Sequence, residues 1–211
     1  MIWRKPQPAV LTPRPLRTGR AHLAALQESL LLMNEHLAHI ETWSRHLSSV
    51  LTRGGRLLAA GNGGSAAEAQ HLTAELVGRY RDERQPFSAL ALHAETSSFT
   101  AIGNDYGAEQ AFARQVRAHG RSGDVLLLLS TSGRSRNLIA AVEAARQAGV
   151  TSWALTGPRP NPLADMSFDA IAIEAPATAT VQEIHLVIIH MLCAAIEVEV
   201  GASLPYDTEL H

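Results

Sequence analysis

One stretch of the chain decides its fold class: Leu57-Leu58-Ala59-Ala60-Gly61-Asn62-Gly63-Gly64-Ser65. It is typical of a short apolar strand that runs through a glycine turn into a helix opening at Ser65. Glu68 follows three residues later, so residues 65–68 match a helix capping box. Because glycines allow a close backbone approach and a helix N-terminus favours anions, we expect a phosphate or another oxygen-rich ligand here.

A second strand-to-helix turn of this kind lies downstream. Residues 124–129 predict a buried strand, which runs into Ser130-Thr131-Ser132-Gly133-Arg134-Ser135 and then into a helix. Neither turn matches a Walker P-loop or the Gly-x-Gly-x-x-Gly fingerprint. A single glycine turn usually only separates two elements, but two hydroxyl-bearing turns at strand ends favour an anion-binding site.

From Arg56 onward, strand and helix patterns alternate. Strands are predicted near residues 56–61, 88–92, 124–129, 151–156 and 168–174, and helices near 65–79, 97–119, 135–148 and 180–200. The second of these helices is expected to break around residues 103–107. The alternation predicts right-handed crossovers and an α/β fold, with a mainly parallel five-stranded sheet flanked by helices. Both hydroxyl-bearing turns then fall at the carboxyl ends of strands, where ligands bind in such sheets.

Residues 23–51 are predicted to form one long amphipathic helix. Apolar residues recur at alternating steps of three and four, and Ser44 fills the one gap in the pattern. These positions are Leu23, Leu26, Leu30, Met33, Leu37, Ile40, Leu47 and Leu51. Because this near-heptad seam is long and lies outside the strand–helix alternation, we expect it to pack in a helical bundle between subunits.

Length and composition indicate one globular domain. The chain has 211 residues, of which 46% are hydrophobic and 18% charged, and its formal net charge is −2. So small a charge would not recruit nucleic acid, and we expect no nucleic-acid partner. Cys193 is the only cysteine, which suits a reducing cytoplasm. No stretch of about 18 apolar residues is free of charges and helix breakers, so we expect no membrane span.

The first 20 residues differ in composition from the rest. They contain four prolines and five basic residues but no acidic residue. We interpret residues 1–20 as a disordered or loosely docked extension, and the alternative is an arm that binds nucleic acid or a partner. A single domain is expected over residues 21–202, followed by a tail over 203–211.

His71 and Glu75 lie one helical turn apart on the helix that follows the first glycine turn. A pair at this spacing can direct two ligand atoms at one metal ion. The alternative is a solvated surface pair, or a histidine that has its own hydrogen-bond partner. Because the pair lies only a turn or two beyond the expected anion site, a role in that site is as well supported as the alternative.

The last predicted helix carries further candidates. Residues 180–183 match a second capping box, which places Gln182 near the helix start, and His190 lies eight residues further on. A rise of about 1.5 Å per residue separates the two by about 12 Å. A metal ion would lie only about 2 Å from each ligand atom. If both residues serve one metal site, we therefore expect two different subunits to contribute them.

Other polar residues compete with these candidates. His185 is an alternative to His190, and His93 and Glu95 lie just past a strand end. Spacing alone does not choose among them. The polar turn at residues 104–107 interrupts apolar helical sequence, either as a simple helix break or because Asn104 and Asp105 recognise hydroxyl groups.

Five motifs occur in this order along the chain: Gly61-Asn62-Gly63-Gly64-Ser65, His71…Glu75-Leu76…Gly78-Arg79-Tyr80, Ala101-Ile102-Gly103-Asn104-Asp105-Tyr106-Gly107, Ser130-Thr131-Ser132-Gly133…Ser135 and Gln182-Glu183-Ile184-His185…His190. Together they resemble the phosphoheptose isomerase family of the sugar isomerase (SIS) fold, a flavodoxin-like sandwich. The resemblance implies interconversion of sedoheptulose 7-phosphate and D-glycero-D-manno-heptose 7-phosphate. It also implies a homotetramer with active sites at subunit boundaries and one Zn²⁺ in each site.

Carried over position by position, the resemblance assigns the site residues. The implied zinc ligands are His71, Glu75, Gln182 and His190, which selects His190 over His185. The implied contacts to the sugar phosphate come from Asn62, Gly63, Gly64, Ser65, Glu75, Asn104, Asp105, Ser130, Thr131, Ser132, Ser135 and Gln182. Arg134 stands where the family commonly has asparagine, and a cation there could tighten phosphate binding or alter selectivity.

An aldose–ketose isomerisation moves a proton between C1 and C2 through an enediol, which requires a base and an acid. We expect Glu75 to act as the base and His190 as its acid/base partner, with zinc polarising the oxygens. Tight coordination would weaken both groups, so either it loosens in turnover or the metal mainly positions the substrate. The alternatives are a non-catalytic SIS regulator that binds a replication initiator protein, a sugar-phosphate sensor, and an enzyme acting on another phosphosugar.

Overall fold

The computed structural model describes residues 15–201, with side chains from Gly19 onward. The proposed tail (203–211) and most of the proposed extension (1–20) lie outside the described residues. The first helix begins at Pro15, so the end of the expected extension is helical. The domain bounds stay predictions.

The described residues form eight α-helices and five strands. The helices are α1 (Pro15–Leu32), α2 (Leu37–Thr52), α3 (Gly64–Val77), α4 (Thr96–Tyr106), α5 (Ala111–His119), α6 (Arg136–Ala148), α7 (Pro162–Met166) and α8 (Thr178–Glu199). The strands are β1 (Leu57–Gly61), β2 (Ala89–Ala91), β3 (Val125–Ser130), β4 (Thr151–Thr156) and β5 (Asp169–Ala172). Each predicted strand is therefore present within two residues of its predicted bounds.

The strands form one parallel sheet in the order β2-β1-β3-β4-β5, which confirms the predicted fold class. Strands β1 and β3 are buried along their whole length because helices cover both faces of the sheet. Side chains alternate between the two faces: Leu57 and Ala59 join one apolar core, and Leu58 and Ala60 join the other. The first core also receives α2, α3 and α8, and the second receives α5 and α6.

The strand order reverses between β1 and β3, and this reversal positions the site. The chain leaves β1 for α3 on the first face of the sheet and leaves β3 for α6 on the second face. Two neighbouring connections that leave for opposite faces open a crevice at the carboxyl ends of their strands. The turns at residues 62–64 and 131–135 border this crevice.

The long N-terminal helical segment is present, although a 3₁₀ turn (Met33–His36) divides it into α1 and α2. Ile40 and Leu47 of the predicted seam are buried in the first core, whereas Leu23 and Leu30 are 59% and 40% exposed. The second half of the seam therefore packs within the domain. The first half is not fully covered in a single chain.

Neither predicted capping box forms. Helix α3 already begins at Gly64 with Gly63 as its N-cap, and α8 begins at Thr178 with Ala177 as its N-cap; neither N-cap side chain accepts a hydrogen bond. Gly63 has a φ of +58°, a conformation that glycine adopts without strain, so the helix starts before Ser65. Ser65 is buried in the first turn and forms a hydrogen bond with the Glu68 side chain instead.

The structure refines two further predictions. The break in the second predicted helix lies at Gly107, which has a φ of +85°, so residues 103–106 still belong to α4. Helix α7 was not predicted, although Asn161 before Pro162 is typical of a helix start. The Asn161 side chain accepts a hydrogen bond from the N–H of Ala164 at 2.9 Å, which caps α7.

Helix α8 is long and apolar enough by composition to cross a membrane. Half of it is nevertheless buried within the domain, where it packs against α2 and α3. A central core helix accounts for this composition.

Candidate active site

The crevice between β1 and β3 is bridged by two asparagines. Asn62, directly after β1, donates from Nδ2 to Oδ1 of Asn137 at 3.0 Å. Asn137, in the first turn of α6, donates back to Oδ1 of Asn62 at 2.9 Å. This reciprocal pair joins the two turns at the mouth of the crevice, where Asn62 is exposed to solvent.

The first turn is closely packed by the start of α8. A Cβ atom on Gly64 would overlap the side-chain amide of Gln182, so only glycine allows this approach. The structure thereby brings together Gly63, Gly64 and Gln182, three of the residues that the resemblance assigned to the substrate. It places them at the N-terminus of α3, where backbone N–H groups favour an anion.

Hydroxyl groups shape the second turn. Ser130 Oγ accepts a hydrogen bond from the N–H of Gly133 at 3.1 Å and lies 3.5 Å from Ser135 Oγ. Ser132 Oγ accepts a hydrogen bond from the N–H of Arg134 at 3.3 Å. Ser135 is the N-cap of α6 in an extended conformation, and its side chain makes no capping hydrogen bond. The turn is thus preorganised around the start of a second helix.

Asn161 supports this second turn, and sequence reasoning missed it. Gly133 has a φ of +60°, and a Cβ atom there would overlap the Asn161 side chain. The amide of Asn161 donates to Thr156 Oγ1 at 3.1 Å, and the N–H of Leu163 donates to the carbonyl of Gly133 at 2.9 Å. The α7 cap therefore holds the second turn against the end of β4.

Three titratable side chains meet where α3 packs on α8, and we call them the His71–Glu75–His190 cluster. His71 Nε2 lies 3.4 Å from Glu75 Oε1 and 3.0 Å from His190 Nε2. The Tyr80 ring stacks on His190, with ring centroids 5.6 Å apart. The cluster is partly open, since the side chains of His71 and Glu75 are 41% and 19% exposed. A carboxylate and two imidazoles in an accessible position can exchange protons with a bound ligand.

His185, the alternative to His190, lies in the protein interior. Its Nε2 donates to the carbonyl of Thr156 at 3.2 Å, and its Nδ1 lies 3.9 Å from Glu68 Oε2. Burial lowers the pKa of His185 to about 4 and raises the pKa of Glu68 to about 7, against the opposing effect of the Ser65 hydrogen bond. The structure therefore places His190, and not His185, beside His71.

Of the other two alternatives, the structure gives a local role to Glu95. Glu95 is the N-cap of α4, where its carboxylate accepts hydrogen bonds from the N–H groups of Ser97 and Ser98 at 3.2 and 2.6 Å. These bonds, led by those to Ser98, lower the pKa of Glu95. Burial lowers the pKa of His93. Glu95 thus caps the N-terminus of α4.

Asn104 and Asp105 lie apart from the cluster. They belong to the exposed last turn of α4, where Asn104 Nδ2 donates to Asp105 Oδ1 at 3.0 Å. Helix α4 packs through Phe99 on the second core, on the face of the sheet opposite α3 and α8. Asp105 lines a cavity of about 280 Å³ between α4 and α5, together with Arg114.

The donor chemistry of the cluster fits zinc. Imidazole nitrogens and carboxylate oxygens are common zinc ligands, and separations of 3.0 and 3.4 Å suit neighbours in a tetrahedral shell with bonds of about 2.0–2.1 Å. Across residues 15–201, however, no three His, Cys, Asp or Glu side chains are arranged to hold a metal ion. Gln182 lies beside Gly64 instead. Within the described residues of one chain, the cluster therefore does not form a complete metal site.

Comparisons with known proteins identify the family of the chain. A family model for the SIS domain matches residues 21–157. The phosphoheptose isomerase of Streptomyces coelicolor is 69% identical over 161 residues, which cover 76% of this chain and 70% of that protein.

Solved structures show the same relationship. The phosphoheptose isomerase from Francisella tularensis superposes with a TM-score of 0.82 at 34% identity, covering 87% of this chain and 98% of that one. The enzyme from Neisseria gonorrhoeae superposes with a TM-score of 0.77 at 39% identity, covering 88% and 97%. The chain therefore belongs to the phosphoheptose isomerase family of SIS-domain proteins and is a sugar-phosphate isomerase.

Proposed function

We propose that this protein converts sedoheptulose 7-phosphate to D-glycero-D-manno-heptose 7-phosphate through an enediol. The observation that carries the proposal is the convergence of Glu75 and His190, each on its own helix, around His71. The names of the relatives support a seven-carbon sugar phosphate as the substrate.

The catalytic roles follow from the chemistry of the cluster. Glu75 removes the carbon-bound proton, and His190 exchanges protons with the substrate oxygens. Tyr80 stacks on His190 and limits the orientations of its ring. The two groups reach the substrate from helices α3 and α8, whose mutual packing holds them in place.

The phosphate and hydroxyl groups of the substrate are held by the two turns. The proposed contacts are Asn62, Gly63, Gly64, Ser65, Ser130, Thr131, Ser132 and Ser135, with Gln182 beside the first turn. Helix N-termini favour the phosphate, and the hydroxyl groups supply hydrogen bonds. Asn104 and Asp105 stay proposed contacts to sugar hydroxyls, and their distance from the cluster suits contribution from a neighbouring subunit.

One Zn²⁺ per site is proposed, held by His71, Glu75, Gln182 and His190. When bound, it supplies Lewis-acid stabilisation of the negative charge that develops on the substrate oxygens. Within one chain, Gln182 packs on Gly64 and lies two helical turns from His190, so the ligand set requires a second subunit.

A homotetramer with active sites at subunit boundaries is therefore proposed. The exposed apolar residues of α1 and of the start of α2 support it, since a soluble protein usually covers such a patch. They are Leu23, Leu30, Leu31, Leu32 and Leu37. The buried lone cysteine, Cys193, agrees with a cytoplasmic location.

Turnover of sedoheptulose 7-phosphate tests the function. The purified protein is assayed for heptose 7-phosphate formation in its native state, after treatment with a chelator, and after Zn²⁺ is restored. We expect turnover that chelation abolishes and Zn²⁺ recovers. Calorimetric binding without turnover would instead indicate a sugar-phosphate sensor. If the protein shows neither turnover nor binding, the proposal is contradicted. That result would favour a regulator of the kind that binds a replication initiator protein.

A further inference from the structure

The segment that links α3 to β2, residues 78–88, carries Tyr80 to the active-site cluster. It contains no helix or strand of its own. The Tyr80 ring nevertheless stacks on His190 at a centroid distance of 5.6 Å and an interplanar angle of 28°. Because the segment has no regular hydrogen bonding of its own, another contact must fix its backbone relative to α8 so that Tyr80 reaches His190.

Glu197 on α8 provides such a contact. Its side chain is 1% exposed, and Oε1 accepts hydrogen bonds from the backbone N–H of Tyr80 at 3.2 Å and of Arg81 at 3.0 Å. Glu197 lies seven residues after His190, which is two helical turns and therefore the same face of α8. One helix face thus carries both His190 and the acceptor that fixes the residue stacked on it.

Arg84 ties the same segment to the end of α3. Its side chain is 3% exposed, and Nε lies 3.8 Å from Glu197 Oε1. Nη2 donates to the carbonyl of Glu75 at 2.6 Å, and Nη1 donates to the carbonyl of Leu76 at 3.1 Å. Carbonyl groups in the last turn of a helix have no partner within the helix, and a cation placed there is favoured. Arg84 therefore holds the backbone of the proposed base.

Stability alone does not explain why Glu197 and Arg84 are buried together as a pair of opposite charges. Removing both charges from water costs energy that their attraction only roughly offsets, so an apolar pair could fold the segment as well. The charges instead give directional hydrogen bonds that an apolar pair lacks: two donors to Glu197 and three carbonyl acceptors for Arg84.

We propose that Glu197 is a positioning residue of the isomerase. Glu197 acts through Tyr80 to orient His190, and Arg84 ties the same segment to the last turn of α3. The proposal rests on the catalytic roles proposed above for Glu75 and His190.

Kinetics of matched variants test the role of Glu197. Glu197→Gln keeps the shape and removes the charge, Tyr80→Leu removes the ring, and Glu199→Gln changes an exposed glutamate on the same helix. We expect Glu197→Gln and Tyr80→Leu each to lower kcat about 10- to 100-fold with KM within about twofold. Tyr80→Phe keeps the ring and is expected to restore most of kcat. Wild-type kcat in Glu197→Gln would overturn the proposal.

A double variant separates positioning from a structural effect. If Glu197 acts through Tyr80, Glu197→Gln adds little to the loss of kcat already caused by Tyr80→Leu. Independent losses that multiply would overturn the proposal.

Hydrogen exchange gives a readout that needs no substrate. We expect the backbone amides of Tyr80 and Arg81 to lose protection in Glu197→Gln, while the amides of α8 stay protected and Glu199→Gln behaves as wild type. Unchanged protection of Tyr80 and Arg81 would overturn the proposal. If the wild-type protein does not turn over sedoheptulose 7-phosphate, that result contradicts the proposed function, and the exchange experiment still decides whether Glu197 holds the segment.

Discussion

At the scale of single residues, the proposed chemistry depends on Glu75 and His190. Glu75→Gln and His190→Gln each remove a proton-transferring group without changing the size of the side chain much. We expect each to lower kcat about 10²- to 10⁴-fold, because general acid–base catalysis contributes that much. Turnover measurements check the loss, and size-exclusion chromatography shows that assembly survives. Near-wild-type turnover in either variant would contradict the role assigned to that residue.

Replacement of Arg134 tests whether the second turn (residues 131–135) binds the phosphate of the substrate. Arg134 is exposed, and its backbone N–H donates to Ser132 Oγ. We expect Arg134→Asn to raise KM about three- to tenfold while kcat stays within about twofold, because a charged donor on a phosphate contributes mainly to binding. Arg146→Asn, at the far end of helix α6, which follows this turn, is the control. Equal KM values in wild type and Arg134→Asn would show that Arg134 does not contact the phosphate.

At the scale of elements, α3 and α8 share a buried pair whose titration affects folding. Burial raises the pKa of Glu68 from its ordinary value of 4.5 to about 7. Between these values the unfolded chain releases this proton before the folded chain does, so stability falls as pH rises and the loss is complete above about pH 7. His185 acts in the opposite sense, because its pKa is lowered to about 4 and stability falls as pH drops below about 6.5.

Glu68→Gln isolates the first of these effects. We expect the variant to gain more stability over wild type at pH 8 than at pH 5, since the cost of ionising Glu68 is then removed. Denaturant unfolding at the two pH values measures the difference, and Glu41→Gln on the exposed face of α2 is the control. A larger gain at pH 5 would contradict the raised pKa.

Elements were predicted well where local sequence decides them. The run of leucines in β3 and the apolar strand β1 predicted buried parallel strands, and the structure confirms them. The helix starts were predicted less well. Gly63 and Ala177 are the N-caps of α3 and α8, and both precede the serine or threonine that matched a capping box. Backbone conformation at glycine and burial of the hydroxyls, rather than local capping, decided those ends.

At the scale of the whole molecule, the uncovered part of α1 predicts an assembly. Leu30 and Leu31 are 40% and 73% exposed, so replacing both with glutamine should leave the fold of one chain intact. We expect the double variant to dissociate into smaller species and to lose both zinc and turnover, because the proposed site takes ligands from two subunits. Sedimentation and metal analysis measure this, with Met166→Gln as the control. A fully active tetramer would contradict the proposed role of α1.

The sequence by itself determined the order of strands and helices along the chain and the two hydroxyl-bearing turns, whereas only the resemblance to a known family selected His190 for the cluster. Hydrophobic period, glycine turns and residue spacing are local properties, so they can be read along the chain. Only the tertiary structure decided which distant residues meet: Asn62 with Asn137, Gly64 with Gln182, His71 with His190, Asn161 with Gly133, and Glu197 with Arg84. These contacts arise from the packing of α3, α6 and α8 on the sheet, and spacing along the chain carries no information about them.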